Sequence, residues 1–221
     1  MNTDKLDLKE KDIRNFHTER FEADVPVEEY LETCVDVPTF AEYCRACPNY
    51  NKTWSCPEFD FDPLDYWKRY QTLHLIGEKI YLPEYLTSGN YSTQETARMT
   101  ARIMGIYKND LAEELLQMEK EKPESVQKWP EYSVSLSGGY CSQCAREQRG
   151  DESEEQMIDS SFCTRTKGRP CRHPERMRYS IEALGGNVGL TVTKYLHQKL
   201  LWMEEGKLPE YYMLVLGLLY Q

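Results

Sequence analysis

Nothing at the start of this chain reads as a leader. Met1 to Lys11 (Met-Asn-Thr-Asp-Lys-Leu-Asp-Leu-Lys-Glu-Lys) has no apolar core of the kind an export signal needs. No later stretch approaches the roughly 20 apolar residues that span a bilayer. A membrane is therefore not expected as a partner, and a cytoplasmic location is. Positive charge is also scarce: 27 Lys and Arg stand against 37 Asp and Glu, for a net charge of −10. That field opposes a sequence-independent grip on phosphates, so nucleic acid is not an expected partner either. There is no phosphate-binding glycine loop, dinucleotide fingerprint or catalytic triad, no low-complexity tract, and no internal repeat beyond a loose likeness between two cysteine groups.

What the chain does have is cysteine. Cys34, Cys44, Cys47 and Cys56 lie near the N-terminus, and Cys141, Cys144, Cys163 and Cys171 lie in the C-terminal half. In a reducing compartment eight thiols point to metal ligation or thiol redox work rather than to disulfides. The spacings are Cys34-x9-Cys44-x2-Cys47-x8-Cys56 and Cys141-x2-Cys144-x18-Cys163-x7-Cys171. Each group holds one CxxC pair, which brings two sulfurs to one metal or cluster edge, and two further thiols that complete four ligands. Zinc and iron–sulfur clusters both accept four thiolates. Zinc ribbons usually show two CxxC pairs per site, and here each group has one, so the balance falls toward iron–sulfur. Cys47-Pro48 and Cys56-Pro57 resemble the Cys-Pro ending of cluster-binding loops.

With 40% hydrophobic and 29% charged residues, the 221-residue chain has a globular balance and enough length for one domain with a substantial core. Residues 1–30 are charged and broken by Pro26, and read as a polar surface segment or short helix. Val27 to Tyr43 reads as irregular because Pro38 interrupts it. Residues 44–57 form a string of turns that a bound metal would hold. Asp60 to Tyr70 has helical spacing with Pro63 in its first turn. Thr72 to Leu82 reads as a strand. Ser92-Thr93-Gln94-Glu95 is a capping box that opens a helix to about Lys120. Pro123 and Pro130 bound a linker, Tyr132 to Leu136 alternates as a strand, and 145–162 is an acidic, solvated insertion. Pro174 opens a helix carrying Met177, Ile181 and Leu184 to Gly185-Gly186. A shorter helix covers Thr193 to Trp202, and Tyr211 to Tyr220 is a buried strand.

Local chemistry extends the metal reading. A helix opening at Pro174 would aim its N-terminal N–H groups at Cys171, with Arg172, Arg176 and Arg178 adding positive charge. Gly138 and Gly139 allow close backbone approach to sulfur. Several residues have plainer readings. Cys34 sits in an apolar stretch and reads as either a ligand or an inert buried thiol. His74 fits a strand interior, His173 a hydrogen bond beside the site, and Tyr50 and Trp54 packing over the cysteine loop. Ser180 and Glu182, two apart on a helix, would not face each other.

The run Cys171-Arg172-His173-Pro174-Glu175, then Ser180-Ile181-Glu182-Ala183-Leu184-Gly185, resembles the family of predicted metal-binding proteins called domain of unknown function 2284. Cys47-Pro48-Asn49-Tyr50, Trp54-Ser55-Cys56-Pro57 and Gly139-Tyr140-Cys141-Ser142-Gln143-Cys144 agree with it. The resemblance covers about residues 44 to 220 and implies cysteine-held iron–sulfur clusters. The chain departs from the pattern in the acidic insertion before Cys163, in Asn187 where Asp is common, and in Glu58 where a second Pro is usual.

The expectation is an α+β protein: a polar segment over 1–30 and a single domain over 31–221. Its small mixed or antiparallel sheet is covered by helices on one side and carries two cysteine-rich metal-binding loop regions. Cys34, Cys44, Cys47 and Cys56 form one site and Cys141, Cys144, Cys163 and Cys171 the other. The expected cofactors are two 4Fe-4S clusters, with zinc as the alternative. The expected work is electron transfer to an unidentified redox partner protein. The alternatives are an enzyme with substrate at one cluster and a zinc-stabilised interaction module.

Overall fold

The computed structural model describes residues 8–120, 133–144 and 162–221. The linker around Pro123 and Pro130 and most of the acidic insertion lie outside them. Four strands, β1 (Thr18–Pro26), β2 (Thr72–Tyr81), β3 (Ser133–Leu136) and β4 (Tyr211–Tyr220), form one sheet in the order β1-β2-β4-β3. Every neighbouring pair is antiparallel. Among the described residues seven α-helices accompany it: α1 (Glu10–Ile13), α2 (Val27–Cys34), α3 (Val37–Ala46), α4 (Pro63–Trp67), α5 (Glu84–Thr87), α6 (Thr93–Met118) and α7 (Val188–Lys194).

The expected strands over 72–82, 132–136 and 211–220 are β2, β3 and β4 within a residue or so. The fourth, β1, lies in the stretch read as a polar segment. Glu19, Glu22 and Asp24 face solvent along this sheet edge, while Phe21, Ala23 and Val25 turn into the core. An edge strand with one wet face needs only a few apolar residues, and its charges keep other chains from adding to it.

Both faces of the sheet are covered, not one. On β4, Tyr212, Leu214, Leu216 and Leu218 enter a core with Ile13, Ile103, Leu111 and Leu115 under α1 and α6. The alternate residues Met213, Val215 and Leu219 enter a second core with Tyr30, Trp67, Ile181 and Val192. Two buried faces explain why this strand is apolar at every position rather than at every second one.

α6 begins where the sequence predicts, with Ser92 as N-cap and Glu95 closing the capping box. Pro63 stands in the first turn of α4. Pro38 likewise starts α3 rather than breaking a helix, with the Asp36 side chain accepting the Thr39 N–H at 3.1 Å. Val27–Tyr43 is therefore two short helices. The last helix also starts earlier than expected, because Asn187 caps it through Leu190 N–H at 3.0 Å.

The chain after Pro174 is not a helix. His173 C=O closes a single turn with the N–H groups of Arg176 and Met177, at 3.0 and 2.9 Å. Ser180 then bridges Ser137 next to β3. Arg178 turns instead to Glu119: its guanidinium pairs with that carboxylate at 2.5 Å, with both side chains largely buried. Glu119 also accepts the backbone N–H and hydroxyl of Ser135. Tertiary charge pairing and strand pairing thus override the local helical pattern. Among the described residues no helix is long and apolar enough to cross a membrane.

Candidate metal centre

The first cysteine group starts in the last turn of α3. Cys44 lies in that helix and Cys47 caps it, its N–H bonded to Cys44 C=O at 3.0 Å. The chain then folds back through tight turns, and Asn51 N–H reaches Cys56 C=O at 2.8 Å. Asn51 takes φ +56, a conformation that its short polar side chain tolerates. This closure sets Cys56 beside the CxxC pair. Burial, and then the neighbouring Cys56 and Cys47, push the Cys44 thiol up to about 11. Burial likewise raises Cys56, opposed by the Ser55 and Thr53 hydroxyls. Cys44 and Cys56 line a cavity of about 250 Å³ walled by Tyr50, Phe59 and Phe61.

The second group forms a tighter site. Cys141, Cys144, Cys163 and Cys171 all line one cavity of about 20 Å³, together with Trp54 and His173. Burial pushes the Cys141 thiol up to about 11, against the Gln143 N–H and the Lys108 ammonium; Cys171 and Cys144 add to the rise. The His173 N–H points at Cys171 Sγ from 3.4 Å. Donation to sulfur therefore comes from a single turn of backbone, not from the helix end expected there.

The two groups are joined. The Cys141 N–H donates to Ser55 Oγ at 2.7 Å, and that oxygen lies 3.7 Å from Cys56 Sγ. Ser55 and its partner Thr53 are fully buried. Arg165, just after Cys163, hydrogen-bonds Asn51 at 2.9 Å and stacks over Trp54 at 4.6 Å. Trp54 Nε1 donates to Thr164 at 3.3 Å, so this ring packs between the loops as its sequence context suggests. Lys108 of α6 acts electrostatically on both Cys141 and Cys56.

Cys34 is elsewhere. It ends α2 in the second core, 2% exposed, beside the Thr33 hydroxyl, with Lys194 and Glu29 as its charged neighbours. The thiols that act on Cys44 are Cys56 and Cys47. Cys141, Cys144, Cys163 and Cys171 thus line one cavity, and Cys56 and Cys47 neighbour Cys44.

The residues fit thiolate metal centres in their donor chemistry: sulfur donors at two places and an N–H donor at one sulfur. Among the described residues no three Cys, His, Asp or Glu side chains converge at ligating distance. Neutral thiols have no attraction that would draw them together; ligation itself requires their deprotonation.

Sequence reasoning missed Ser55, whose role depends on a contact across 86 residues, and Lys108, which sits unmarked in an amphipathic helix. It also set Ser180 and Glu182 apart on helical geometry. Without that helix the Ser180 hydroxyl reaches the Glu182 carboxylate, which burial drives toward its neutral form. His74 does lie inside a strand, paired with Asp24 at 2.9 Å.

The described residues, a four-stranded antiparallel sheet with helices on both faces, define an α+β protein. The chain belongs to the family described as predicted metal-binding proteins, domain of unknown function 2284, whose model matches residues 32–217. No curated protein and no solved structure matches it.

Proposed function

We propose that this protein carries two iron–sulfur centres and passes electrons to a redox partner protein. Cys44, Cys47 and Cys56 hold one centre, and Cys141, Cys144, Cys163 and Cys171 the other. The observation that carries the reading is the hydrogen bond from Cys141 N–H to Ser55 Oγ, because it ties a ligand of one group to the neighbour of a ligand of the other. Clusters held here would supply one-electron chemistry, most simply as two 4Fe-4S groups. The protein's own part is to seal and tune. Trp54 and Arg165 close one side, His173 N–H donates to sulfur, and Lys108 offsets thiolate charge on both sides. Cys47 is the exposed thiol of the eight and marks the face where a partner approaches.

A second reading has its own support. With Cys34 in the core, the first centre has three thiols and opens on the cavity of about 250 Å³, as a centre that takes a substrate at its fourth position requires. Cys→Ser substitution tests both readings. Loss of visible absorbance is expected at each of the seven ligands and retention at Cys34. An unaltered spectrum in Cys141→Ser would contradict the assignment.

A further inference from the structure

Positive charge is scarce in this chain but not on its cysteine loops. Residues 45–58 and 162–175 hold six Lys and Arg against two Asp and Glu, in a chain whose net charge is −10. Hydrogen bonds lock these loops together. Arg165 donates to Asn51 at 2.9 Å and stacks over Trp54 at 4.6 Å, which ties the second loop to the first. The second loop is itself closed: Arg169 N–H reaches Thr164 C=O at 3.1 Å, and Thr164 Oγ1 donates to Pro170 C=O at 2.8 Å. Lys52 is the chain neighbour of Asn51, and Lys167 and Arg169 follow Arg165 in the closed loop; all three are exposed.

These cations differ from several arginines elsewhere. Arg14, Arg20, Arg176 and Arg178 each pair with a carboxylate of the chain. Among the described residues Lys52, Arg165, Lys167 and Arg169 form no ion pair, although Glu58 and Glu175 lie in the same stretches. Lys52, Lys167 and Arg169 stand in water, so they carry charge without the cost of burying it. Their charge is therefore open to an anionic surface from outside.

We infer that this surface docks the acidic face of a small one-electron carrier protein, with the chemistry of a plant-type ferredoxin. The inference rests on the reading of the thiols as iron–sulfur centres and names the partner that reading requires. One electron leaves a reduced centre here, which is oxidised, and reduces the carrier. Opposite charge steers the encounter and orients the carrier over the cysteine loops, and an electron-transfer contact needs little area. The rest of the chain repels the same partner, which confines it to this face. A long nucleic-acid strand would run beyond the patch onto that repelling surface, whereas a compact acidic protein need not.

The test is calorimetric titration of the full-length protein, purified without oxygen, with an oxidised plant-type ferredoxin as probe. Ferredoxin is expected to bind at one site per chain at about 20 mM salt, and about tenfold or more weaker at about 200 mM. Lys52→Ala, Lys167→Ala and Arg169→Ala together should weaken it by about tenfold or more, with metal content and visible spectrum unchanged. Lys9→Ala, Lys11→Ala and Lys68→Ala together remove the same charge from other exposed positions and should change binding by about twofold or less. Equal losses in the two triple variants, or no salt-sensitive binding of ferredoxin, would overturn the docking surface. Tighter binding of an oligonucleotide of about 20 bases would overturn the acidic protein in favour of nucleic acid. Iron-free protein that still binds ferredoxin through the three cations would contradict the reading of the thiols and uphold the surface, because the heat of docking needs no cluster.

Discussion

The amide of Cys141 donates to the hydroxyl of Ser55 at 2.7 Å, across a gap of 86 residues and in a place closed to solvent. This bond makes the two cysteine groups one structural unit. Ser55→Ala should therefore act on both. The orphaned amide would cost about 1–3 kcal/mol of stability, read by denaturant unfolding. Metal retention should fall in both groups together. Loss confined to one group would show that they are independent.

Arg178 and Glu119 hold the chain after Cys171 against β3 and α6 as a buried pair. Arg178→Met leaves an unpaired carboxylate there and should destabilise by about 3–5 kcal/mol in chemical denaturation. The double variant Arg178→Met with Glu119→Gln should recover much of that loss, because no charge is then left buried alone.

Cys34 gives the sharpest contrast among the thiols. Cys34→Ala removes a small group from a packed core and should cost about 1 kcal/mol while metal content stays unchanged. Cys44→Ala should do the reverse, stripping metal at little cost to the metal-free fold. A Cys34→Ala protein with half the metal would return Cys34 to the first centre.

The pH response of the metal-stripped protein follows from burial. Cys44 and Cys141 are pushed from 9.0 up to about 11, so the folded state keeps protons there that the unfolded chain loses. Their contribution is fully present below pH 9.0 and is lost as pH rises through about 11. Denaturation midpoints should fall over that window. Metal binding needs the thiolates, so loading releases protons and weakens as pH falls. A flat unfolding profile between those limits would contradict the burial of these thiols.

Much of the sheet was legible because it rests on local signals. Ser92 and Glu95 announce α6, and the uninterrupted apolar run after Tyr211 announces a strand with two buried faces. The spacing of the second four cysteines anticipates that they line one cavity, while their ligand roles belong to the proposal. What failed had long-range causes. Pro38 is the local exception: it reads as a break, yet Asp36 two residues before it caps a helix that Pro38 helps to start. The segment after Pro174 has helical periodicity, yet Ser137 and Glu119, far away in sequence, pull it straight. Cys34, open in sequence between ligand and buried thiol, lies in a packed core.

Metal analysis tests most directly whether these thiols hold iron–sulfur centres. Protein purified without oxygen should contain about eight irons and eight sulfides per chain, with broad visible absorbance, if both sites carry 4Fe-4S clusters. One or two zincs per chain, without iron or acid-labile sulfide, would contradict it and make the cysteine lobe a structural zinc scaffold.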